Sequence, residues 1–185
     1  MPDVVKLIKA QHRQVDDLLE QAQSEGADVR SLLQQVSDLL LPHSEAEESF
    51  VYPAIRERAP DEAEEVHDGV AEHHHIEELL RELLTEDPDG PGFDGKLAAM
   101  VGELRHHVEE EEEDLLPVLS EKASDEERER MGARFAAATG SADLTALGNA
   151  EDATRAELYE KAKKRDIPGR SKMSKDELAE AVEGS

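Results

Sequence analysis

Apolar residues recur every three or four positions along most of this chain, which is the spacing that lines one face of an α-helix. The pattern predicts four long helices, separated by short polar segments such as the Pro- and Gly-rich turn at 86–92. Two capping boxes, Asp61 with Glu64 and Ser124 with Glu127, mark the predicted starts of the third helix and of a shorter fifth helix. The predicted helices cover about residues 3–23, 29–57, 61–85, 93–122 and 124–139.

Titratable side chains interrupt the apolar face of each long helix. In the first helix, His12 takes a core position between Ile8 and Val15, and the other three helices show the same kind of interruption. The six residues concerned are His12, His43, Glu47, His73, His107 and Glu111. Burying an imidazole or a carboxylate without a partner costs free energy, so this pattern predicts a partner that all six side chains share.

The chain contains an internal repeat. The motif His-x-x-x-Glu-Glu, with a Pro ten positions after its His, begins at His43 and again at His107, a shift of 64 residues. A second motif, His-x-x-Val/Ile-x-x-Leu-Leu, begins at His12 and again at His73, a shift of 61 residues. The repeat therefore predicts two helical hairpins of one design, each with one lone His and one His-x-x-x-Glu.

The register of the repeat separates candidate residues from their neighbours. It selects His73 from three consecutive histidines, so that His74 and His75 are predicted to lie on the flanks or in solvent. It selects His107 rather than His106. His67 has no counterpart in the other hairpin and is predicted to lie on the surface.

The composition favours helices and limits the possible functions. Hydrophobic residues make up 37% of the 185 residues but aromatic residues only 3%, which suits a helical core better than a sheet. A net charge of -25 opposes binding to nucleic acid or to anionic membranes. The chain has no Cys, which excludes disulfides and thiolate metal sites. No apolar run approaches the roughly 20 residues that cross a bilayer, and the N-terminus does not resemble a signal peptide, so a cytoplasmic location is expected.

Four imidazoles and two carboxylates inside a helical bundle form a coherent set of ligands for two metal ions. Positions i and i+4 share a helix face, so His43 can act with Glu47, and the second copy of the motif behaves alike. One ion is predicted to bind His12 and His43 and the other His73 and His107. Glu47 and Glu111 are predicted to bridge the ions, leaving room for an oxo or hydroxo bridge and a small ligand. Iron, manganese and zinc all suit such ligands.

Other interpretations remain open at this point. A single His on an apolar face is more often a hydrogen-bonded core residue than a metal ligand. Ferritin-like sites use Glu-x-x-His pairs, which this chain also contains, although they lie off the apolar faces. These pairs are Glu64/His67, Glu72/His75 and Glu103/His106.

Several neighbours of the candidate ligands have undecided roles. Glu48 and Glu112 are either hydrogen-bond acceptors for imidazole N–H groups or solvated residues. Glu77 and Asp16 are acceptors of the same kind or, more simply, helix-surface charges. Tyr52, whose counterpart in the repeat is Leu116, either packs in the core or reaches the edge of the site, where it could hydrogen-bond a ligand or bind metal.

Four segments resemble the hemerythrin-like, or HHE cation-binding, family. They are AQHRQV, LPHSEAEESFVYPAI, AEHHHIEELL and HHVEEEEEDLLPVL, which span nearly all of residues 1–122. The resemblance implies an up-down four-helix bundle with a non-haem di-iron centre, whose ligands would be the six residues named above. Oxygen-carrying members have a second His where this chain has Glu77, so the chain resembles the bacterial H-HxxxE-H-HxxxE type. That type is linked to sensing of oxygen or nitric oxide, to peroxide removal and to iron handling.

The C-terminal part differs in composition. The bundle and its trailing helix are predicted to cover 1–140, a small polar linker 141–153, and a separate module 154–185. The module carries 8 basic and 7 acidic residues, whereas the preceding 153 residues carry 13 basic and 39 acidic. It resembles helix–extended loop–helix modules of the Rho N-terminal and SAP kind, which often bind nucleic acid. A weak nucleic-acid or protein partner is therefore expected for this segment.

The sequence leads to two functional hypotheses. The first is a di-iron protein that binds or reacts with O2, H2O2 or NO as a sensor or in the removal of oxidants, with catalase- or peroxidase-like activity left open. The second is an iron-responsive binding module that signals through residues 154–185. No residue is assigned a catalytic role, although Tyr52 is expected near the centre.

Overall fold

The computed structural model describes residues 3–141, and every regular element in this range is helical. The predicted module at 154–185, and all of the predicted linker except Ser141, lie outside the described residues. The α-helices are α1 (Val4–Ala22), α2 (Val29–Ala46), α3 (Tyr52–Arg58), α4 (Ala63–Thr85), α5 (Phe93–Glu110), α6 (Leu116–Lys122) and α7 (Asp125–Thr139). The predicted all-α class is confirmed for this part of the chain.

The helices pack around one apolar core. Helix α1 packs on α2, α4 packs on α5, and further contacts join α2 to α4 and α1 to α5. Helix α7 lies against both α1 and α2 and places Phe135 in the interior, fully buried. The core between α1, α2, α4 and α5 is built mainly of aliphatic residues such as Leu19, Leu33, Leu80 and Met100. Within residues 3–141, no helix has the length and apolar character needed to span a membrane.

Two π-helical turns connect α2 to α3 and α5 to α6, at Glu47–Val51 and Glu111–Leu115. Each turn lies just before a Pro of the repeat, Pro53 or Pro117, which has no N–H for the usual i→i−4 hydrogen bond. The wider hydrogen bonding is shown by the Tyr52 N–H, which donates to the carbonyl of Glu47 five residues earlier. The helix predicted over about 29–57 therefore contains a π turn, and this turn begins at the candidate ligand Glu47.

The two predicted capping boxes have different outcomes. At the start of α7, the Ser124 hydroxyl accepts from the Glu127 N–H and the Glu127 carboxylate accepts from the Ser124 N–H, as predicted. The box predicted at Asp61 is wrong. Pro60 opens a short 3₁₀ turn, Pro60–Glu62, so α4 begins only at Ala63 and has no side-chain cap.

Candidate metal centre

The six residues singled out in the repeat converge in the interior of the bundle. Helix α1 contributes His12, α2 contributes His43, α4 contributes His73 and α5 contributes His107. The two carboxylates stand at the first residues of the π turns, Glu47 and Glu111. None of the six is more than 7% exposed. The structure therefore brings together residues that lie up to 99 positions apart in the sequence.

The first half of the cluster joins α1, α2 and the two π turns. The Nε2 atoms of His12 and His43 lie 3.1 Å apart. Oε1 of Glu47 lies 3.0 Å from Nε2 of His43, and Oε2 of Glu111 lies 3.2 Å from Nε2 of His12. Both imidazoles thus turn the same nitrogen atom toward a carboxylate and toward each other.

The second half of the cluster joins α4 and α5 to the same carboxylate. The Nε2 atoms of His73 and His107 lie 2.9 Å apart. The other oxygen of Glu47, Oε2, lies 3.3 Å from Nε2 of His73. Glu47 therefore faces both imidazole pairs, one with each carboxylate oxygen.

Every imidazole of the cluster is held from outside through its Nδ1 atom. The Nδ1 contacts are His12 to Glu112 at 2.9 Å, His43 to Gln11 at 2.9 Å, His73 to Glu48 at 3.0 Å and His107 to Glu72 at 2.8 Å. Carboxylate and amide oxygens only accept hydrogen bonds, so each Nδ1 carries the hydrogen and each Nε2 is left with its lone pair when the ring is neutral. These contacts fix both the tautomer and the orientation of the rings.

The charges around the rings set their protonation. Burial lowers the pKa of His12, but hydrogen bonds to Glu111 and Glu112 outweigh this and raise the pKa to about 9. Burial acts in the same way on His73, yet hydrogen bonds to its two carboxylate neighbours raise its pKa to about 10. Burial and the positive charge of His73 together lower the pKa of His107. Each of the two imidazole pairs, His12–His43 and His73–His107, therefore contains at least one ring that is protonated near neutral pH.

The position of Glu47 between the two imidazole pairs is strongly anionic. Burial raises the pKa of Glu47, but the charge of His43 and hydrogen bonds with His43 and His73 outweigh burial and hold the pKa well below its usual value. Glu47 is therefore a buried carboxylate ion that is fully shielded from solvent. Such an ion needs positive charge beside it.

A cation is the partner that these groups lack. When the imidazoles are neutral with hydrogen on Nδ1, they have no hydrogen to donate from Nε2, and the buried carboxylate oxygens of Glu47 and of Glu111 then receive no hydrogen bond from these rings. The donor atoms form two groups that could each hold a metal ion, His12/His43/Glu47 and Glu47/His73/His107. Imidazole and carboxylate donors suit iron, manganese and zinc, so the residues present fit a metal site.

Tyr52 lies inside this arrangement rather than in the general core. Its ring stacks on His73 with centroids 5.6 Å apart, and its hydroxyl lies 3.5 Å from Nε2 of that residue. Burial and the negative charges of Glu111 and Glu47 raise its pKa far above the usual value, so the phenol keeps its proton. Gly69 gives it room, since a Cβ there would lie 3.2 Å from the Tyr52 hydroxyl.

The remaining candidates lie away from the cluster. The histidines that the repeat did not select, His67, His74, His75 and His106, are all exposed, so the alternative Glu-x-x-His pairs lack a buried imidazole; of their glutamates, Glu72 contacts His107. Asp16 pairs with Arg105 at 2.7 Å. Glu77 lines a surface pocket of about 320 Å³ together with Glu45, Glu48, Ser49 and His74.

Sequence reasoning missed two of the four outer acceptors. Glu48 and Glu112 were open candidates, but Gln11 and Glu72 were not considered for this role. Each of the latter directly precedes the lone His of its hairpin and accepts from the His of the neighbouring helix. Their matching place in the repeat, one residue before His12 and His73, was the signal that could have found them.

Comparisons with known proteins agree with this geometry. The model of the hemerythrin HHE cation binding domain matches residues 3–119. A protein described as a DNA nickase, from Nostoc sp. (strain PCC 7120), is 24% identical over 139 residues. That alignment covers 74% of this chain and 39% of the relative, so the chain spans less than half of the length of that protein. No solved structure matches the chain.

Proposed function

Because the chain belongs to the hemerythrin HHE cation-binding family, we propose that it holds two iron ions and binds or reacts with O2, H2O2 or NO. His12 and His43 hold one ion and His73 and His107 the other, with Glu47 and Glu111 shared between them. The observation that supports this most strongly is that Glu47 faces one imidazole pair with each of its oxygens. The contacts of α1 with α2 and α5, and of α4 with α2 and α5, support an up-down order of four helical arms.

The protein groups supply the positions and the charge, and iron supplies the reactivity. Iron held by these residues would supply Lewis acidity and a change of oxidation state. The outer acceptors keep each Nε2 turned inward, so the ligands are oriented before a metal arrives. Burial of the carboxylates leaves little room for water beside them, which strengthens their attraction for a cation.

Tyr52 gives one side of the centre a hydrogen-bond donor. Because its phenol keeps its proton, the hydroxyl can donate a hydrogen bond to an oxygen or nitrogen atom of a small ligand beside His73. We assign it no proton-transfer step. It is the group of this site that distinguishes the two halves of the repeat most directly, since Leu116 takes the corresponding place.

A small, buried centre supports a role as a sensor or in the removal of oxidants. Glu48, the acceptor for His73, also lines the surface pocket beside α4, so this side of the bundle is the proposed approach for ions and small molecules. Its acidic lining attracts cations and has no feature that would select a larger organic substrate. Catalase- or peroxidase-like turnover is the enzymatic form of the same proposal.

The test is the optical spectrum of protein loaded with Fe(II) without oxygen, followed by separate additions of air, H2O2 and NO. We expect about two irons per chain and new visible or near-ultraviolet absorption with at least one of the three ligands. The His43→Ala variant should bind about half as much iron and lose the spectral change of the two-iron centre, whereas the exposed His75→Ala variant should keep both. Full iron content and unchanged reactivity in His43→Ala would show that the proposal is wrong.

A second candidate is an iron-responsive binding module. The similarity to a protein described as a DNA nickase, and the basic residues of 154–185, favour a nucleic-acid or protein partner for that segment. The acidic bundle opposes such binding, so the interaction would be weak and salt-sensitive. Hydrogen exchange of 154–185 should then differ between iron-loaded and iron-free protein, and equal exchange in the two states would exclude this candidate.

A further inference from the structure

Besides Tyr52, which lies against His73 only, the two halves of the cluster differ in the acceptors behind the imidazoles. In the His73–His107 pair, both Nδ1 atoms face carboxylates, those of Glu48 and Glu72. In the His12–His43 pair, one acceptor is a carboxylate and the other is the neutral amide of Gln11. The internal repeat matches Gln11 with Glu72, so the chain departs from its own symmetry at this one acceptor.

Glu112, the one carboxylate behind the His12–His43 pair, is also partly neutralised. Lys9 lies 3.1 Å from Oε2 of Glu112, whose other oxygen accepts from His12. No Lys or Arg among the described residues makes an ion pair with Glu48 or Glu72. The exposed His74 lies 3.9 Å from Glu48. The His73–His107 pair therefore has two carboxylates behind it without a Lys or Arg partner among the described residues, whereas the His12–His43 pair has one, which is shared with a lysine.

The fold gives a reason for the amide. Helix α7 covers the α1–α2 side, and Phe135 packs edge-on against His43 with centroids 5.4 Å apart. Gln11 is consequently 1% exposed, whereas the side chains of Glu48, Glu72 and Glu112 remain 24–28% exposed. A carboxylate in the place of Gln11 would lose nearly all of its solvation.

Gln11 nevertheless does more than fill space in the core. Its Nε2 atom is buried without a hydrogen-bond partner in the described residues, which an apolar side chain would avoid. What the amide provides is its oxygen, 2.9 Å from Nδ1 of His43, which orients the ring without adding charge.

We propose that Gln11 is a positioning residue that makes the two metal positions unequal, so that a divalent cation binds first at His73–His107 and second at His12–His43. A carboxylate behind an imidazole strengthens its Nε2 as a ligand more than an amide does. The inequality rests on the proposed two-metal centre. It gives the protein a state with one ion, in which the position beside Tyr52 is filled and the position under α7 is open.

The experiment is a titration of the full metal-free chain with Co(II), followed by its visible absorption and by competition with a chelator. Co(II) is used because it fits imidazole and carboxylate donors and its spectrum reports the ligand field. We expect two binding steps whose affinities differ by about tenfold or more. The His43→Ala variant should keep the tighter step and His107→Ala the weaker one.

Substitutions at Gln11 then test the cause. Gln11→Met, which removes the acceptor at similar size, should weaken the second step about tenfold, and Gln11→Glu should strengthen it by a similar factor. The first step should change less than about twofold in either variant. Gln21→Glu, an exposed position on the same helix, controls for the added charge.

Lys9→Gln keeps the test decisive if a buried charge at position 11 prevents folding. It frees Glu112 from its lysine without touching the buried residues, and it should also strengthen the second step only. Two steps of equal affinity in the wild type would overturn the inequality while leaving the two-metal centre intact. Affinities that do not change on substitution of either Gln11 or Lys9 would do the same. A wild-type chain that binds neither Co(II) nor iron would overturn the proposed function itself.

Discussion

The Nε2 atom of His12 lies 3.1 Å from the Nε2 atom of His43, while the Nδ1 atom of each ring faces an acceptor. If both rings were neutral, two lone pairs would face each other in a buried place, which is unfavourable. The pKa of His12 is raised to about 9 by Glu111 and Glu112, so in the metal-free protein a second proton on this ring relieves the contact. In the proposed centre, a metal ion takes the place of that proton.

Metal binding should release protons. At pH 7 the metal-free protein carries one proton on His12 and one on His73, because their pKa values are raised to about 9 and about 10. Two divalent ions should displace about two protons per chain. Calorimetry in two buffers of different ionisation enthalpy measures this number. Binding without proton release would contradict the protonated state assigned to His12 and His73.

The metal-free protein should lose stability as the pH rises. A folded-state pKa that is raised gives stability that is complete below the usual pKa of about 6.5 and lost as the pH passes the folded value. For His12 and His73, the loss runs from about pH 6.5 to about pH 9 and 10 respectively. Each group contributes at most about 1.4 kcal/mol per pH unit within its range.

Urea unfolding of the metal-free chain between pH 6 and pH 10 measures this effect. The lowered pKa of Glu47 acts in the opposite direction, with stability that is lost only on the acid side. Zinc-loaded protein is the control, because the metal replaces the protons and should remove the alkaline loss. A metal-free protein equally stable at pH 6 and pH 10 would show that the imidazolium ions are not part of the fold.

The Glu72→Gln variant should weaken the tighter metal position. It gives His107 the amide acceptor that His43 already has, and a changed acceptor behind a metal-binding His costs roughly 10–100-fold in affinity. Glu78, which is exposed on the same helix, provides the control Glu78→Gln. Chelator competition measures the affinity of both variants for Co(II). Equal affinities would show that Glu72 does not support His107 as a metal ligand.

Gly69→Ala should disturb the fold where Gly102→Ala does not. Both glycines lie within helices, but a Cβ at Gly69 would lie 3.2 Å from the Tyr52 hydroxyl, whereas Gly102 has no atom within 4 Å of that position. Gly102→Ala should therefore stabilise the protein by about 1 kcal/mol through helix propensity alone.

The tight contact should cancel most of that gain in Gly69→Ala, because Tyr52 is held by its stacking on His73. Denaturant unfolding of the two variants gives the comparison. If both glycines gain the same stability on substitution, the fit of Tyr52 against α4 is looser than the structure shows.

The sequence predicted the inward residues well because the repeat supplied a second copy of each pattern. Three consecutive histidines offer no choice by themselves, but the match with His12 selected His73, and it alone of the three is buried. The same argument placed Glu47 and Glu111, one helical turn after their histidines, in the interior.

The remaining features depend on tertiary contacts or on local backbone geometry. The acceptors Gln11 and Glu72 bond to histidines 32 and 35 residues away, on other helices, which a helix-by-helix pattern does not show. A regular helix would place Ala54 on the same face as Glu47, but the π turn adds one residue, and Ile55 is the one fully buried. A Pro shows that a hydrogen bond is absent without showing how the backbone responds.

The central claim, that six buried residues hold two iron ions, is tested most directly by the iron content of the chain after anaerobic loading and removal of free metal. We predict about two irons per wild-type chain and little or no iron in Glu47→Ala, because Glu47 belongs to both groups of metal-binding atoms. The exposed Glu45→Ala variant should equal the wild type. No iron in the wild type, or two irons in Glu47→Ala, would contradict the claim.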